Sequence, residues 1–232
     1  MDIAKIAHTA CAEAVRAGAE YADVSVSTGR SVTVNVEKNG IHDVQEQRSA
    51  GISVRAIVKG GKAFATTSVL DEESARVVGG RAADAAKEAQ ADPDFVSLPS
   101  PNPYTDVPDL RDQRVAALSS VDMIDLVMTE VDGARAVDDR AVVEGGSTLS
   151  DSEGVIVNSL GVEGRRASTS VNLSISGLIR VGDDVGLYYD YDSAHMMDDF
   201  APQGLGKRVC QQTQRYLGGR SCETAVLPVV AG

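Results

Sequence analysis

Four stretches of this chain alternate apolar and polar residues with a period of two, and that period fits a β-strand with one buried face. Residues 22–28 read A-D-V-S-V-S-T and residues 31–37 read S-V-T-V-N-V-E. Residues 51–58 read G-I-S-V-R-A-I-V. A tight turn, Lys59-Gly60-Gly61-Lys62, then leads into A-F-A-T-T-S at 63–68. Gly29-Arg30 is a hairpin-sized gap between the first two runs, and the polar stretch 38–49 reads as a longer connection. The pattern predicts a four-stranded antiparallel meander with one apolar and one polar face.

Helices flank this block. Residues 3–17 place Ile3, Ile6, Ala7, Ala10, Ala14 and Val15 on one face, with Gly18 as the stop. Asp71 is placed to cap a second helix over 72–90, which the pair Gly79-Gly80 weakens locally. Five of the seven prolines fall within 92–108, so a linker is expected there. The same grammar then returns. A long amphipathic helix is predicted over 110–134, strands at 141–149, 155–159, 168–180 and 185–192, and a closing helix over 205–217 that stops at Gly218-Gly219. Turns are expected at 151–154 and 182–184.

The expected fold class is therefore α+β, with two helix-flanked four-stranded antiparallel sheets in the order helix, four strands, helix, repeated. The expected organisation is a first subdomain over 1–91, a Pro-rich linker over 92–108 and a second subdomain over 109–224. Residues 225–232, A-V-L-P-V-V-A-G, read as an apolar strand that starts and does not finish. The expectation is a longer parent protein whose next domain begins there, and a piece that associates through unpaired backbone.

Composition narrows the function classes. Hydrophobic residues make up 43% but aromatic ones only 4%, with no tryptophan, so the core is built from Val, Ala, Leu and Ile. The net charge of −12 is spread along the chain, whereas nucleic-acid binding needs a cationic face. The close basic pair Arg165-Arg166 has Asp183-Asp184 near it in sequence. No nucleic-acid partner and no membrane partner is expected, since no apolar run reaches the length of a membrane span. The N-terminus carries no secretory pattern, and Cys11, Cys210 and Cys222 are odd in number without C-x-x-C spacing. A cytoplasmic protein with reduced thiols is the expectation.

No catalytic set is assigned. The best metal-like cluster is Asp190, Asp192 and His195, with Asp198-Asp199 beyond. Carboxylates and an imidazole together bind Zn²⁺ or Mn²⁺. The alternative is a solvated acidic loop after a strand, because the spacing matches no strong zinc motif. His8 and Cys11 stand at i, i+3, the spacing of a two-ligand site or of an ordinary surface pair. His42-Asp43 lacks a nucleophile. Gly204-x-Gly206-Lys207 precedes a helix, as a phosphate site does, but without Walker spacing, and reads as a loop feeding a helix. No G-x-S-x-G elbow is present, and Ser168-Thr169-Ser170 reads as strand. Tyr188, Tyr189 and Tyr191 fit either an interface or the core.

The first block, from the opening helix through K-G-G-K-A-F-A-T-T-S, resembles the N-terminal region of the TldD/PmbA family, also called modulators of DNA gyrase. The second block, V-I-V-N-S-L-G-V-E-G-R-R-A-S-T-S-V-N-L-S-I-S-G at 155–177 followed by Y-Y-D-Y-D at 188–192, extends the resemblance over nearly the whole chain. It is closer to the PmbA-like (TldE) branch, which lacks the metal motif and partners the metal-bearing subunit. The resemblance implies intracellular proteolysis of peptides or small proteins. It places the zinc motif, a helical His-Glu with a second His one turn on, in a C-terminal half or a partner subunit. No His-Glu pair occurs here. The implied role is an N-terminal scaffold and dimerisation portion, with a homologous subunit as partner in a homo- or heterodimer and a peptide as substrate. The alternatives are a non-catalytic peptide-binding or regulatory module acting by strand addition, and a self-contained hydrolase using Asp190, Asp192 and His195.

Overall fold

The computed structural model describes residues 2–105, 107–221, 223–226 and 228. Helix α1 (Ile3–Arg16) begins at Asp2, whose carboxylate accepts from the N–H groups of Ala4 and Lys5. Three strands follow: β1 (Tyr21–Glu37), β2 (Gly40–Val58) and β3 (Gly61–Thr67). Helix α2 (Glu72–Glu88) is capped by Asp71 as its sequence predicts. After the proline-rich stretch come the short α3 (Gln113–Ala116), α4 (Ser120–Arg135), β4 (Val142–Asn158), β5 (Glu163–Val181), β6 (Asp184–Ala194) and α5 (Leu205–Arg215).

The strands form one six-stranded sheet in the order β3-β2-β1-β4-β5-β6, with every neighbouring pair antiparallel. The expected pair of four-stranded sheets is thus corrected to one sheet. The repeat is helix, three strands, helix. Its two copies meet at the β1–β4 pair, so β1 answers to β4, β2 to β5 and β3 to β6 about an approximate two-fold axis.

The corrections share one physical cause. Strand β1 buries Ala22, Val24 and Val26 at one end and Val32, Val34 and Val36 at the other, all on one face. The first three belong to a core under α1 and α2, and the last three to a second core under α4 and α5. Between the two helical layers the strand runs uncovered. Polar residues there interrupt the alternation without interrupting the strand, so Gly29-Arg30 is mid-strand rather than a hairpin. The segment 151–154, read as a turn, is likewise the middle of β4. Of the connection read over 38–49, residues 40–49 are the first half of β2, exposed or half-exposed on both faces and therefore without apolar periodicity. The long helix expected over 110–134 is two helices, because a capping box (Ser119 with Asp122) starts α4 afresh. Of the strand expected at 225–232, residues 225, 226 and 228 carry no strand and the rest lie outside the described residues.

The helices lie close on their own layer. Gly79 of α2 faces α1, and a Cβ there would stand 2.4 Å from the Ala10 carbonyl oxygen. A Cβ at Gly80 would have only the Glu13 carboxylate at 4.0 Å. So Gly79→Ala is expected to lower the unfolding free energy by about 1–3 kcal/mol through overpacking. Gly80→Ala is expected to be neutral or stabilising by up to about 1 kcal/mol, because it removes helix-interior glycine entropy. Urea denaturation of the two variants checks this, and equal effects would contradict the close approach.

Candidate functional site

Three regions bear on function: the polar strip between the helical layers, the acidic end of β6, and the sheet face that carries no helix.

The strip lies on the covered face at the approximate two-fold axis. Arg30 donates from Nε to Glu46 (2.9 Å) and from Nη1 to the Ala116 and Leu118 carbonyls (3.2 and 3.0 Å), closing the end of α3. Arg111 pairs with Asp151 through two hydrogen bonds of 2.9 and 3.1 Å. Arg30, Arg111 and Asp151 line a cleft of about 270 Å³ together with Arg48 and Glu153, and Glu46 borders it through Arg30. Arg30, Arg48 and Arg111 are matched by Glu46, Asp151 and Glu153, so the cleft selects neither anion nor cation.

At the end of β6 the three candidate ligands each have a structural task. Asp190 accepts from the Tyr191 N–H and lies 3.8 Å from Arg208. Asp192 accepts from the N–H groups of Ser193 and Ala201, holding the chain that leads to α5. The His195 ring Nδ1 meets the Thr169 carbonyl, and its own carbonyl accepts from the Thr169 hydroxyl. Among the described residues no three His, Cys, Asp or Glu side chains are grouped to hold a metal ion. The donor set here does not fit the zinc that the resemblance implies. His8 bonds to Glu163 at 2.8 Å, while the Cys11 thiol is buried against the Ala22 carbonyl and pushed up to about 11 by burial, so the two do not act together. His42 pairs with Glu37. The N-terminus of α5, the Gly204-x-Gly206-Lys207 segment, is already taken. Buried Glu130 of α4 accepts from Gly204 (3.1 Å) and Gly206 (2.9 Å), supplying the negative charge that a phosphate would bring.

Two buried carboxylates were not legible as special in the sequence. Asp112 accepts from Arg114 and from the Met197 N–H, tying α3 to the segment after β6. Asp138 accepts from Arg140 and from Gln214, tying the α4–β4 turn to α5. Each has an arginine two residues on, a D-x-R spacing that Asp109-Leu110-Arg111 shares without a buried carboxylate, so the spacing alone does not mark them. The Arg114 guanidinium holds Asp112 well below the usual carboxylate range, and Arg140, with Gln214, does the same for Asp138.

The uncovered face is lined by short polar side chains, including Ser25, Thr33, Thr148, Ser150, Asn172 and Ser174 in neighbouring register. At its β6 edge stand Leu187, Tyr189 and Tyr191, exposed by 59, 71 and 63%. The tyrosine cluster therefore divides: Tyr188 points to the covered side and stacks on Tyr216 at 6.0 Å, while Tyr189 and Tyr191 face solvent.

Comparison with known proteins follows this architecture. Residues 22–90 match the family profile described as PmbA/TldA metallopeptidase domain 1, and residues 114–217 match that of the PmbA/TldA metallopeptidase central domain. Among solved structures, TldE from Thermococcus kodakarensis superposes with a TM-score of 0.83 at 21% identity, covering 90% of this chain and 47% of that one. A putative modulator of DNA gyrase from Bacteroides thetaiotaomicron gives 0.81 at 21% identity, covering 95% and 51%. One from Thermotoga maritima gives 0.79 at 15% identity, covering 97% and 50%. The chain thus spans about half the length of these structures. Comparison with curated proteins returns no match. No helix among the described residues is long and apolar enough to cross a membrane.

The carboxylates at 112 and 138 give a pH dependence with a definite sign. Their folded values lie below the unfolded one, so their stabilisation is complete above an unfolded pKa of about 3.9 and fades as pH falls from there through the folded value. Asp138→Asn is expected to lower the urea midpoint at pH 7. The gap from the parent should narrow as pH drops below about 4. A gap that stays constant down to pH 2.5 would contradict the assignment.

Proposed function

The chain belongs to the PmbA/TldA metallopeptidase family, and from that premise we propose that it is the amino-terminal scaffold of a peptidase assembly whose metal is held elsewhere. The observation that carries this reading is the one-sided sheet. Every helix packs on one face, and the other face ends in an exposed row of Leu187, Tyr189 and Tyr191. Tyrosine-bearing apolar rows on a rigid sheet suit a protein partner, because they bury large area at low entropic cost. On this reading the partner is a homologous subunit, in a homo- or heterodimer, and the substrate is a peptide or small protein in the cytoplasm.

The zinc of such an assembly would polarise a peptide carbonyl or activate a water when bound. Because the donor set described here does not fit it, we assign the metal to a polypeptide segment beyond these residues or to the partner subunit. This chain would contribute a wall and a contact surface. The branch that accompanies a metal-bearing subunit is proposed on the sequence resemblance, and the TldE structure among the matches shares the fold. A second reading, a peptide-binding module acting by strand addition, is favoured by an unpaired stretch of β5.

The test combines two measurements on the 232-residue chain. With zinc added and no other subunit, no hydrolysis of short peptides is expected. Sedimentation velocity is expected to show concentration-dependent association. Tyr189→Glu with Tyr191→Glu should weaken it about tenfold or more by burying charge in the contact. Peptide hydrolysis by the chain alone, or association indifferent to both substitutions, would overturn the scaffold reading.

A further inference from the structure

Strand β5 has a free edge. Strand β6 pairs with it only over 171–181, leaving 163–170 without a strand on that side. The direction of its backbone groups follows from two bonds. Val162 accepts from Asn158 of β4, so even-numbered residues turn inward to β4. Thr169 donates outward to the Leu110 carbonyl, so odd-numbered residues turn away from it. Arg165 and Ala167 therefore present N–H and C=O groups outward, and among the described residues these backbone groups have no backbone partner.

Beside this edge lies a groove of about 760 Å³, within the roughly 300–1,000 Å³ range of ligand sites. Tyr104, Val107 and Leu110 of the proline-rich segment form one side. Ile156, Gly164 and Arg166 form the other. Tyr104, Val107 and Ile156 are exposed by 65, 57 and 54%. The Tyr104 ring stands over Gly164, where a Cβ would meet it at 3.9 Å.

The approximate two-fold supplies a comparison. The counterpart of this edge is the first half of β2, free because β3 pairs only with 52–58. That edge carries Asp43, Gln45, Glu46, Gln47 and Arg48, the charged, two-sided composition that discourages pairing. The β5 edge has instead an apolar shelf and one guanidinium group, Arg166, without an ion pair among the described residues, since Arg165 is held by Glu163 at 2.8 Å; Asp109 also lines the groove. One edge is blunted and the other is furnished.

We propose that the β5 edge from Arg165 to Ala167, together with the Tyr104–Ile156 groove, is a binding site for an extended peptide bearing acidic side chains, which adds as a strand and sets a carboxylate on Arg166. Backbone bonds to alternate residues supply affinity without sequence demand, and the groove receives the side chains that point to the open face. Arg166 sits on that face opposite Gly154 in register and makes no ion pair among the described residues. The site deepens the peptide-binding reading above and rests on it, but not on any catalytic role.

The probe is a capped, fluorescent hexapeptide of alternating valine and glutamate, titrated into the whole chain and followed by anisotropy. Saturable binding is expected. N-methylation of one alternate set of peptide nitrogens should weaken binding about tenfold or more, while methylation of the other set leaves it nearly unchanged. On the protein, Ala167→Pro removes an outward N–H and should weaken binding comparably. Arg166→Glu should weaken the acidic peptide and leave a valine–threonine peptide unaffected. The methylated probes read the native chain, so they decide the matter even where a variant fails to fold. Absence of saturation, or equal tolerance of both methylation patterns, overturns the site. In that case the scaffold reading is judged separately by its own association and hydrolysis tests.

Discussion

The antiparallel pairing of β1 with β4 is the constraint on which the rest of this molecule depends. It runs from Asp23 opposite Asn158 to Val36 opposite Gly145 and joins two helix–three-strand–helix units into one sheet. Because the pairing is antiparallel, the two units are related by a rotation normal to the sheet. Both sets of helices then fall on the same side. The first core is rich in alanine and valine and the second in valine, leucine and isoleucine, with Gly79 and Gly206 bringing helices into backbone contact. Burying a Val or Leu side chain contributes about 1.5–3 kcal/mol, and here nearly all of that gain is made on one face. The opposite face is left mainly to short polar side chains, with the Asp23–Arg55 pair, Arg166 and a few exposed apolar and aromatic residues.

That one-sidedness separates structural from available chemistry. The charged groups on the covered side are occupied. Arg30 and Arg111 bridge the gap between helical layers, Asp112 and Asp138 clamp chain segments, and Glu130 closes the N-terminus of α5. The features left without a task in the described residues are on the bare face and its margins: the Leu187–Tyr189–Tyr191 row, and the β5 edge with its groove. On the proposed reading they serve recognition rather than reaction. They accord with membership of a peptidase family by a chain in which no metal-binding cluster is described.

Much of the fold was legible in the sequence, and the failures have a common origin. Period-two runs located every strand, and Asp71 located the start of α2. Strand continuity was hidden wherever a strand left its helical cover, because alternation reports burial rather than extended backbone. Gly29-Arg30 and Asp151-Ser152-Glu153-Gly154 crossed the inter-layer gap and read as turns. Residues 40–49 lay on a free edge and fell within the stretch read as a connection. The Ser119–Asp122 capping box was present and would have divided the long helix correctly. The candidate ligands Asp190, Asp192 and His195 lay together in sequence, and strand alternation set the two aspartates on one face, but each side chain took its own backbone partner. The β5 groove was not legible at all, since it depends on where β6 stops pairing and where the proline-rich segment crosses, both tertiary facts.

The most direct test of this account is whether β1 and β4 are neighbours in the stated register. Ser31 lies opposite Ser150 on the open face, and the bonding pattern around Thr169 makes theirs a non-hydrogen-bonded pair, the closer of the two kinds. Such a pair has the Cβ separation that a disulfide needs. Ser31→Cys with Ser150→Cys should oxidise to an intramolecular bridge, detected by mass spectrometry of tryptic peptides, while Ser31→Cys with Thr148→Cys should not. Bridging of the second pair, or of neither, would mean that the two halves do not share one sheet.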